Sequence, residues 1–309
     1  MHSQTTHSRW RNRLLAVAVT AGGLLALSGC TAQEKRGFLP GYEDGGPVTD
    51  QTDRTTHLWV GSWTAALIIG VAVWGLIIWC MVVYRRRKGD NVLPVQTRYH
   101  MPLEIMYTAV PLILIGALFF FTARDQAVLR DVSGTPDVTI QVLAKQWSWD
   151  FNYVDEDVYE SGVQVNDVGE LHQSLIDPST GKAEPGTDEA LPTLVLPAGK
   201  KVLFDLQSRD VIHSFWVPAF LDKMDIIPGH PNQWEVTPLR EGVYAGKCAE
   251  LCGEHHSGML FNVKIVSPEE YDTYIQSLRD KGQEGQLGVD LNRSQDGGTA
   301  TAASSEGEN

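Results

Sequence analysis

A short stretch late in the chain combines several kinds of metal-binding side chain. It runs Cys248-Ala249-Glu250-Leu251-Cys252-Gly253-Glu254-His255-His256-Ser257-Gly258-Met259. Thiolate and thioether sulfur are soft donors that select copper over hard cations, and two cysteines on one loop can place both sulfurs between two metal ions. Each metal ion then needs one imidazole. His213, 35 residues before Cys248, supplies a second one if the fold brings it to this loop. These residue types favour a dinuclear copper site.

Donor chemistry by itself leaves three alternatives to a dinuclear copper site open. Cys248 and Cys252 would form a disulfide readily in an oxidising compartment. A tetrahedral zinc site is compatible with cysteine and histidine ligands, but it leaves Met259 without a role. A mononuclear blue-copper site leaves one of the two cysteines unused.

The first thirty residues have the layout of an export signal. Three arginines precede an apolar run over residues 14–27, and small residues precede Cys30. This order predicts a secretory signal peptide over residues 1–29. Leu27-Ser28-Gly29-Cys30 resembles the lipobox of bacterial lipoproteins, in which cleavage leaves an acylated cysteine at the mature N-terminus. That resemblance implies that Cys30 carries lipid, and the alternative is an ordinary signal peptide with an incidental cysteine.

Two apolar stretches follow a Gly- and Asp-rich extracytoplasmic linker over residues 30–56. Residues 58–84 and 103–123 are each long enough to cross a bilayer, which takes about 20 helical residues. The cluster Arg85-Arg86-Arg87-Lys88 between them belongs in the cytoplasm by the positive-inside rule. The sequence therefore predicts a transmembrane hairpin over residues 57–124, in the cell membrane, with the rest of the chain outside.

Glu104 stands at the start of the second predicted span. A carboxylate in a membrane helix is costly unless it is paired, hydrated or functional. Snorkelling to the inner interface accounts for its position as well as a functional role does.

Short alternating stretches predict strands in the extracytoplasmic domain, residues 125–279. Turns containing Gly or Pro separate them, and they cover residues 138–143, 147–153, 194–196, 201–206, 233–236, 242–246 and 260–266. This series predicts an all-β, antiparallel sandwich. Three further segments are predicted around it: a solvated acidic insertion at about 155–190, one helix over 268–279, and a disordered tail over 280–309.

The charge of the chain restricts its partners. The formal net charge is -13, and the residues after Arg124 include 31 acidic but only 13 basic side chains. This balance excludes nucleic acid as a favoured partner and favours a cationic protein. The sequence contains no Cys-x2-Cys-His haem-attachment motif, so a haem attached through that motif must belong to a different chain.

The pattern Cys-x-Glu-x-Cys-x3-His-x2-Met at 248–259 resembles the CuA signature of cytochrome c oxidase subunit II, of the bacterial aa3 type. Val211-Ile212-His213-Ser214-Phe215-x2-Pro218 resembles that family's upstream histidine segment. The resemblance covers roughly residues 57–155 and 191–279. It implies a two-helix transmembrane hairpin followed by an all-β, cupredoxin-like Greek-key sandwich. The implied copper ligands are bridging Cys248 and Cys252, terminal His213 and His256, and axial Met259 and Glu250, the last through its carbonyl.

Other positions resemble the same family. Lys145-Gln146-Trp147-Ser148-Trp149 is similar to its aromatic segment, which implies that Trp147 is the electron input point, although Ser148 stands where an aromatic residue is usual. Glu104-x3-Thr108-x2-Pro111 resembles the mouth of a proton-uptake channel. The Glu250 side chain is implied to reach a magnesium or manganese ion shared with subunit I. His230 replaces the arginine expected after Pro228-Gly229.

The resemblance implies an oxidase in which this chain passes electrons from cytochrome c, soluble or a tethered domain, to subunit I. Subunits I and III are the implied partners, and the haems, the oxygen chemistry and proton pumping belong to subunit I. Two rival functions are a copper-carrying lipoprotein, which needs no membrane hairpin, and subunit II of a quinol oxidase, which lacks the copper ligands.

Overall fold

The structure is a computed structural model that describes residues 31–42, 46–86, 89, 93–163 and 191–288. The chain divides into two compact units. One comprises residues up to 39 together with 59–88, and the other comprises residues 40–58 and 89–309. The predicted signal peptide and Cys30 lie outside the described residues.

Three helices precede the sandwich: α1 (Ala32–Lys35), α2 (Thr52–Val83) and α3 (Met101–Leu129). In α1, Thr31 Oγ1 accepts from the Glu34 amide and the Glu34 carboxylate accepts from the Thr31 amide, so the two residues form a capping box. The helices α2 and α3 expose apolar side chains along most of their length, and both are long enough to cross a membrane. They coincide with the two predicted spans, and polar residues extend α2 at its N-terminus and α3 at its C-terminus.

The parts of α2 and α3 beyond the apolar stretches carry charged side chains, and one of these is buried. Asp125, near the end of α3, is buried and accepts hydrogen bonds at Oδ1 from Arg54 Nη1 and Arg124 Nη2, each at 2.9 Å. Arg54 stands in the first turns of α2, among residues 52–58, which belong to the same unit as α3. Pairing with two guanidinium groups offsets the cost of burying this carboxylate.

Two five-stranded sheets form a β-sandwich, which confirms the predicted all-β domain after the helices. One sheet has the order β3-β2-β1-β5-β8, with β1 (Val138–Lys145), β2 (Ser148–Tyr153), β3 (Val158–Ser161), β5 (Val202–Ser208) and β8 (Asn232–Val236). The other has the order β4-β10-β9-β6-β7, with β4 (Thr193–Pro197), β6 (His213–Val217), β7 (Asp222–Ile226), β9 (Gly242–Cys248) and β10 (Leu260–Val266).

The expectation of an antiparallel sandwich is wrong at two places. β1 pairs with β5 in parallel, and β4 pairs with β10 in parallel. The reason is the path of the chain, which places β4 in the second sheet between two strands of the first. Strands that neighbour each other after such a crossing have no hairpin between them to impose opposite directions.

Aromatic side chains fill the space between the sheets. Phe215 stacks on Phe261 with ring centroids 5.2 Å apart, and Trp149 packs edge-on or tilted against both. Further along the same core, Phe204 and Phe215 contact Trp234. Cys248 and Cys252 are buried in the same hydrophobic core as these rings.

Helix α4 (Pro268–Asp280) follows the last strand and agrees with the predicted helix to within one residue. Ser267 Oγ accepts a hydrogen bond from the Glu270 amide at 3.2 Å and so caps its N-terminus. Tyr271, Ile275 and Leu278 are buried. Their spacing places them on one face of the helix, which packs against the sandwich.

Parts of the predicted linker, insertion and tail belong to the sandwich. Val48 is fully buried, and its carbonyl accepts from the Leu239 amide at 2.8 Å. Strand β3 forms within the predicted insertion, of which residues 164–190 lie outside the described part. Residues 281–288 of the predicted disordered tail lie along β2 and β3. There the Asn152 side chain donates from Nδ2 to the Leu287 carbonyl and accepts at Oδ1 from the Leu287 amide. Residues 289–309 are not described.

Candidate metal centre

Two adjacent strands bring the predicted ligands together. Phe215 in β6 stands opposite Cys248 in β9, so His213 at the start of β6 lies beside the loop that follows β9. The Ala249 amide donates to the Ser214 carbonyl at 3.0 Å, and the Cys248 amide donates to the Met259 carbonyl at 3.1 Å. These bonds close the loop on itself and hold it against β6.

The donor atoms of this loop lie close to one another. The ligand atoms of His213, Cys248 and Cys252 are all within 4.8 Å of each other, and all three residues are buried. Cys248 Sγ lies 3.8 Å from His213 Nδ1, and Cys252 Sγ lies 3.6 Å from His256 Nδ1 and 3.7 Å from Met259 Sδ. The Glu250 carbonyl oxygen is 3.2 Å from Cys248 Sγ, while the Glu250 side chain is exposed.

The two cysteines are not joined. Their Sγ atoms are 3.9 Å apart, about twice the ~2.05 Å length of a disulfide bond. Both thiols are free in the structure. The pair therefore offers two separate sulfur donors, with Cys248 beside His213 and Cys252 beside His256.

The two thiols differ in acidity. Burial acts to raise the pKa of Cys248, but its hydrogen bond with His213 and the neighbouring amide of Ser214 outweigh burial, so the pKa is lowered. Burial, reinforced by the adjacent Cys248, raises the pKa of Cys252 to about 12. Two buried thiolates this close repel each other, so the second one needs a cation beside it. A metal ion supplies that charge and displaces the protons.

Asp210 orients the first histidine. Its Oδ1 lies 2.8 Å from His213 Nε2, which leaves Nδ1 directed at Cys248. Burial acts to lower the pKa of His213, yet the Asp210 carboxylate outweighs it and the pKa is raised. The other oxygen, Oδ2, accepts from the Gln146 amide at 2.7 Å. This carboxylate thus joins the imidazole to the segment that contains Trp147.

Trp147 rests on the loop of the candidate ligands. Its indole Nε1 donates to the Cys252 carbonyl at 3.1 Å, and Gln146 Nε2 donates to the same oxygen at 2.8 Å. The Trp147 ring lies edge-to-face with His255, with centroids 4.8 Å apart and planes at 74°. Trp149, two residues later, is fully buried and donates from Nε1 to the Met259 carbonyl at 3.3 Å.

Comparisons with known proteins identify the family of the chain. The family described as cytochrome C oxidase subunit II, periplasmic domain, matches residues 138–266. A probable cytochrome c oxidase subunit 2 of Streptomyces avermitilis is 46% identical over 303 residues, which cover 92% of this chain and 92% of that protein. The cytochrome c oxidase subunit 2 of Mycobacterium tuberculosis H37Rv is 34% identical over 304 residues, covering 87% and 82%. The chain belongs to the cytochrome c oxidase subunit II family.

Among solved structures, this subunit II chain is similar to the periplasmic domain of subunit II of cytochrome oxidase from Bradyrhizobium japonicum. That match has a TM-score of 0.39 at 27% identity and covers 48% of this chain and 97% of the other. Family membership makes the chain part of a haem-copper terminal oxidase, which is an oxidoreductase complex. The predicted oxidase family is confirmed.

Glu104 of this subunit II chain lies apart from the metal loop. It stands in the first turn of α3, where its Oε1 accepts from the His100 amide at 2.9 Å, and His100 Nδ1 accepts from the Leu103 amide. Within this chain, Glu104 therefore stabilises the N-terminus of α3, where a negative charge is favourable. Its predicted role at a proton channel stays a prediction.

Four residues of the metal loop and its surroundings were not singled out from the sequence. They are Asp210, which holds His213; Gln146, which donates to the Cys252 carbonyl; and Gly253 and His255, which contact Trp147. The spacing Asp-x2-His at 210–213 was a usable signal, because a histidine ligand commonly donates its second nitrogen to a carboxylate. The other three contacts depend on the fold.

Proposed function

We propose that this subunit II accepts electrons from a cytochrome c at a dinuclear copper centre, CuA. From there, the electrons pass to the haem- and copper-containing subunit I, which reduces oxygen to water and pumps protons. One observation carries the proposal. Two thiols, a thioether, two imidazoles and one backbone carbonyl converge at a single buried loop next to an aromatic side chain that reaches the surface.

The donor set fits copper better than its rivals. Sulfur and imidazole are donors that copper prefers, and the paired thiols are placed side by side without a bond between them. A four-ligand zinc site would give no role to the buried Met259, whose Sδ lies 3.7 Å from Cys252 Sγ. A mononuclear copper site would leave one of two equally buried thiols idle.

In the proposed centre, each of these residues would have its own role. Cys248 and Cys252 would bridge the two coppers, His213 and His256 would each hold one, and Met259 and the Glu250 carbonyl would complete the set. When bound, such a thiolate-bridged pair shares one electron over both metal ions. The chain's own part is to hold these donors before the metal arrives, because the bonds that close the loop do not depend on it.

Burial and hydrogen bonding prepare this loop for electron transfer. The sheet core covers Cys248, Cys252 and Met259 and excludes water from them. Asp210 fixes the orientation of His213. Trp147, which is half-buried, spans from the surface to the Cys252 carbonyl. It is the side chain best placed to receive an electron from a docked donor.

The proposed donor is a cationic cytochrome c, soluble or tethered. The Asp210 carboxylate accepts from the amide of Gln146, the residue before Trp147, and the exposed Glu254 stands between two residues that contact the indole. These charges belong to a chain whose formal net charge is -13. Attraction of this kind accelerates association and weakens as salt screens it.

The remaining roles concern the rest of the oxidase. The helices α2 and α3 would anchor the subunit in the cell membrane as a multi-pass hairpin beside subunits I and III. Glu104 would stand at the mouth of a proton-uptake channel. The exposed Glu250 side chain would reach a magnesium or manganese ion shared with subunit I, while its carbonyl serves copper. The haems would remain in the partner subunit.

Two adjacent histidines provide the test of the copper site. His256 Nδ1 faces Cys252, whereas His255 faces Trp147. In the full oxidase purified through a tag on this chain, His256→Ala is expected to abolish the mixed-valence paramagnetic resonance signal of the copper pair, and His255→Ala to retain it. Haem co-purification with the tagged chain separates an oxidase subunit from a copper carrier. The proposal fails if His256→Ala keeps the signal or if no haem co-purifies.

Cys30 is proposed to be the lipidated N-terminus of the mature chain. Mass spectrometry of the purified subunit is expected to show cleavage before Cys30 and acyl chains on it. Replacing Cys30 with alanine should leave the oxidase in the membrane, because a transmembrane hairpin anchors a protein far more strongly than acyl chains do. An unmodified N-terminus at another residue contradicts lipidation.

A further inference from the structure

The Trp147 ring is enclosed by one short stretch of backbone. Three residues of the metal loop meet it: the Cys252 carbonyl accepts its N–H at 3.1 Å, Gly253 lies against the side of the ring that carries Nε1 and Cζ2, and His255 packs against it edge-to-face at 4.8 Å. Each contact restrains a different property of the Trp147 side chain. The hydrogen bond sets the distance to the loop, and the ring contact limits rotation about the side-chain bonds.

Gly253 allows the close approach. A Cβ at this position would lie 2.9 Å from Trp147 Cζ2 and 3.1 Å from Nε1, which is closer than side chains tolerate. The residue also has a φ of +129°, a conformation that glycine adopts without strain. The backbone therefore lies directly on the indole, and the side chain of His255 is the adjustable part of the enclosure.

The two neighbouring histidines have separate partners. His256 directs Nδ1 at Cys252 Sγ at 3.6 Å, whereas the ring of His255 contacts Trp147. A half-buried ring in edge-to-face contact restricts its neighbour because the electron-rich face and the electron-poor edge attract in one orientation. This contact is one of the restraints on the orientation of the Trp147 indole, beside its hydrogen bond to Cys252 and its contact with Gly253.

We propose that His255 is a positioning residue for electron input. Its ring keeps the indole N–H of Trp147 on the Cys252 carbonyl, so that the surface aromatic is connected through one hydrogen bond and a short covalent path to the Cys252 sulfur. One electron leaves the reduced cytochrome c and one arrives at the metal centre, and Trp147 is unchanged at the end. This inference rests on the proposed function, and it adds a residue outside the proposed ligand set.

The test compares His255→Ala with His255→Phe in the full oxidase. The rate of electron transfer is measured after flash reduction of a bound, ruthenium-labelled cytochrome c, and KM is measured separately in the steady state. His255→Ala is expected to slow the transfer about 2- to 10-fold, the range of a single aromatic pair. KM, copper content and the mixed-valence signal are expected to stay as in the wild type. His255→Phe, which keeps a ring, is expected to restore most of the rate.

A double-mutant cycle distinguishes this inference from the proposed function. Trp147→Ala alone is expected to slow electron input strongly, and adding His255→Ala to it is expected to cause no further loss, because the two residues act through one contact. If Trp147→Ala has no effect, the proposed input point is wrong. If it has an effect but the two losses multiply, or if His255→Phe is no better than alanine, the positioning role of His255 is overturned. A lost copper signal in His255→Ala overturns it as well.

Discussion

The Oδ1 atom of Asp210 lies 2.8 Å from Nε2 of His213, and the opposite nitrogen of that imidazole faces Cys248. The same carboxylate accepts from the Gln146 amide through Oδ2. One side chain therefore supports both a proposed copper ligand and the turn that carries Trp147. A carboxylate in this position makes the imidazole a stronger donor and fixes its ring orientation.

Asp210→Asn tests that support. The amide keeps the size of the carboxylate but loses its charge, so His213 becomes a weaker donor. Copper affinity is expected to fall roughly 10- to 100-fold, as is typical when the partner of a metal-bound histidine is removed. The reduction potential of the centre is expected to rise, because the oxidised form needs the stronger donor more. Both are measured on purified oxidase, by competition with a copper chelator and by redox titration. An unchanged affinity and potential would show that Asp210 does not act on His213.

Asp150, in β2, provides a test of a buried ion-pair cluster. Its carboxylate is fully buried and pairs with Lys145 Nζ at 2.6 Å and Arg209 Nη2 at 3.1 Å. Asp150→Asn leaves both cations without a counter-charge, which is expected to cost about 3–5 kcal/mol of stability. The measurement is the temperature at which the purified oxidase loses its copper signal.

Asp225 provides the matched control for Asp150. It pairs with Lys223 at 3.9 Å, and both side chains are about half exposed, at 50% and 51%. Surface pairs of this kind contribute about 0–1 kcal/mol, so Asp225→Asn is expected to leave the transition temperature almost unchanged. Equal effects of the two substitutions would contradict the role assigned to burial.

Truncation after α4 tests how much residues 283–288 contribute to the stability of the domain. Asn152 bonds to both backbone groups of Leu287 at 2.9 Å, and the Gly285 amide donates to the Asp157 carbonyl at 2.8 Å. A chain that ends at Gly282 loses these bonds and leaves the buried Asn152 amide with fewer partners, which is expected to cost roughly 2–4 kcal/mol. A chain that ends at Gly288 keeps them and is expected to match the full-length protein. Equal stability of the two truncated chains would show that residues 283–288 contribute nothing.

Local patterns predicted the elements but not all of the pairings. Alternating stretches indicated β1, β2 and β10, because this signal comes from neighbouring residues. The parallel partners of β1 and β4 depend on where the chain crosses between sheets, which no short window contains. His213 begins a strand, β6, that is missing from the predicted series. The ordered residues 281–288 are polar and glycine-rich, and the strands beside them stabilise them.

In the candidate site too, the residue types could be predicted from the sequence, but most of the contacts between them could not. Soft donors at fixed spacing along one loop pointed to copper, and the loop does bring their atoms together. The choice between His255 and His256 came from family resemblance alone, and the structure gives the two rings different neighbours. The contacts of Gln146 and Gly253 at Trp147 and the Cys252 carbonyl join the turn between β1 and β2 to the loop after β9. They are products of tertiary structure and could not be obtained from spacing.

Cys252→Ser is the most direct test of the metal centre. Cys252 Sγ is close to three other proposed donors: Cys248 Sγ at 3.9 Å, His256 Nδ1 at 3.6 Å and Met259 Sδ at 3.7 Å. A serine hydroxyl is a hard donor that stays protonated at neutral pH, so it does not replace a soft anionic bridge. The delocalised two-copper signal is expected to be lost, leaving one localised copper or none, and electron input from cytochrome c is expected to collapse.

Met259→Leu is the control for Cys252→Ser, because it removes one thioether from the same spot and leaves both thiols. The potential of the centre is expected to shift and transfer to slow, while the delocalised signal persists. Copper content alone does not distinguish the variants, since Cys248 and His213 remain able to hold a metal ion in both. The paramagnetic resonance spectrum and steady-state cytochrome c oxidation must therefore be recorded on the same preparation. If Cys252→Ser retained both a delocalised signal and normal turnover, the sulfur of Cys252 would not bridge two copper ions.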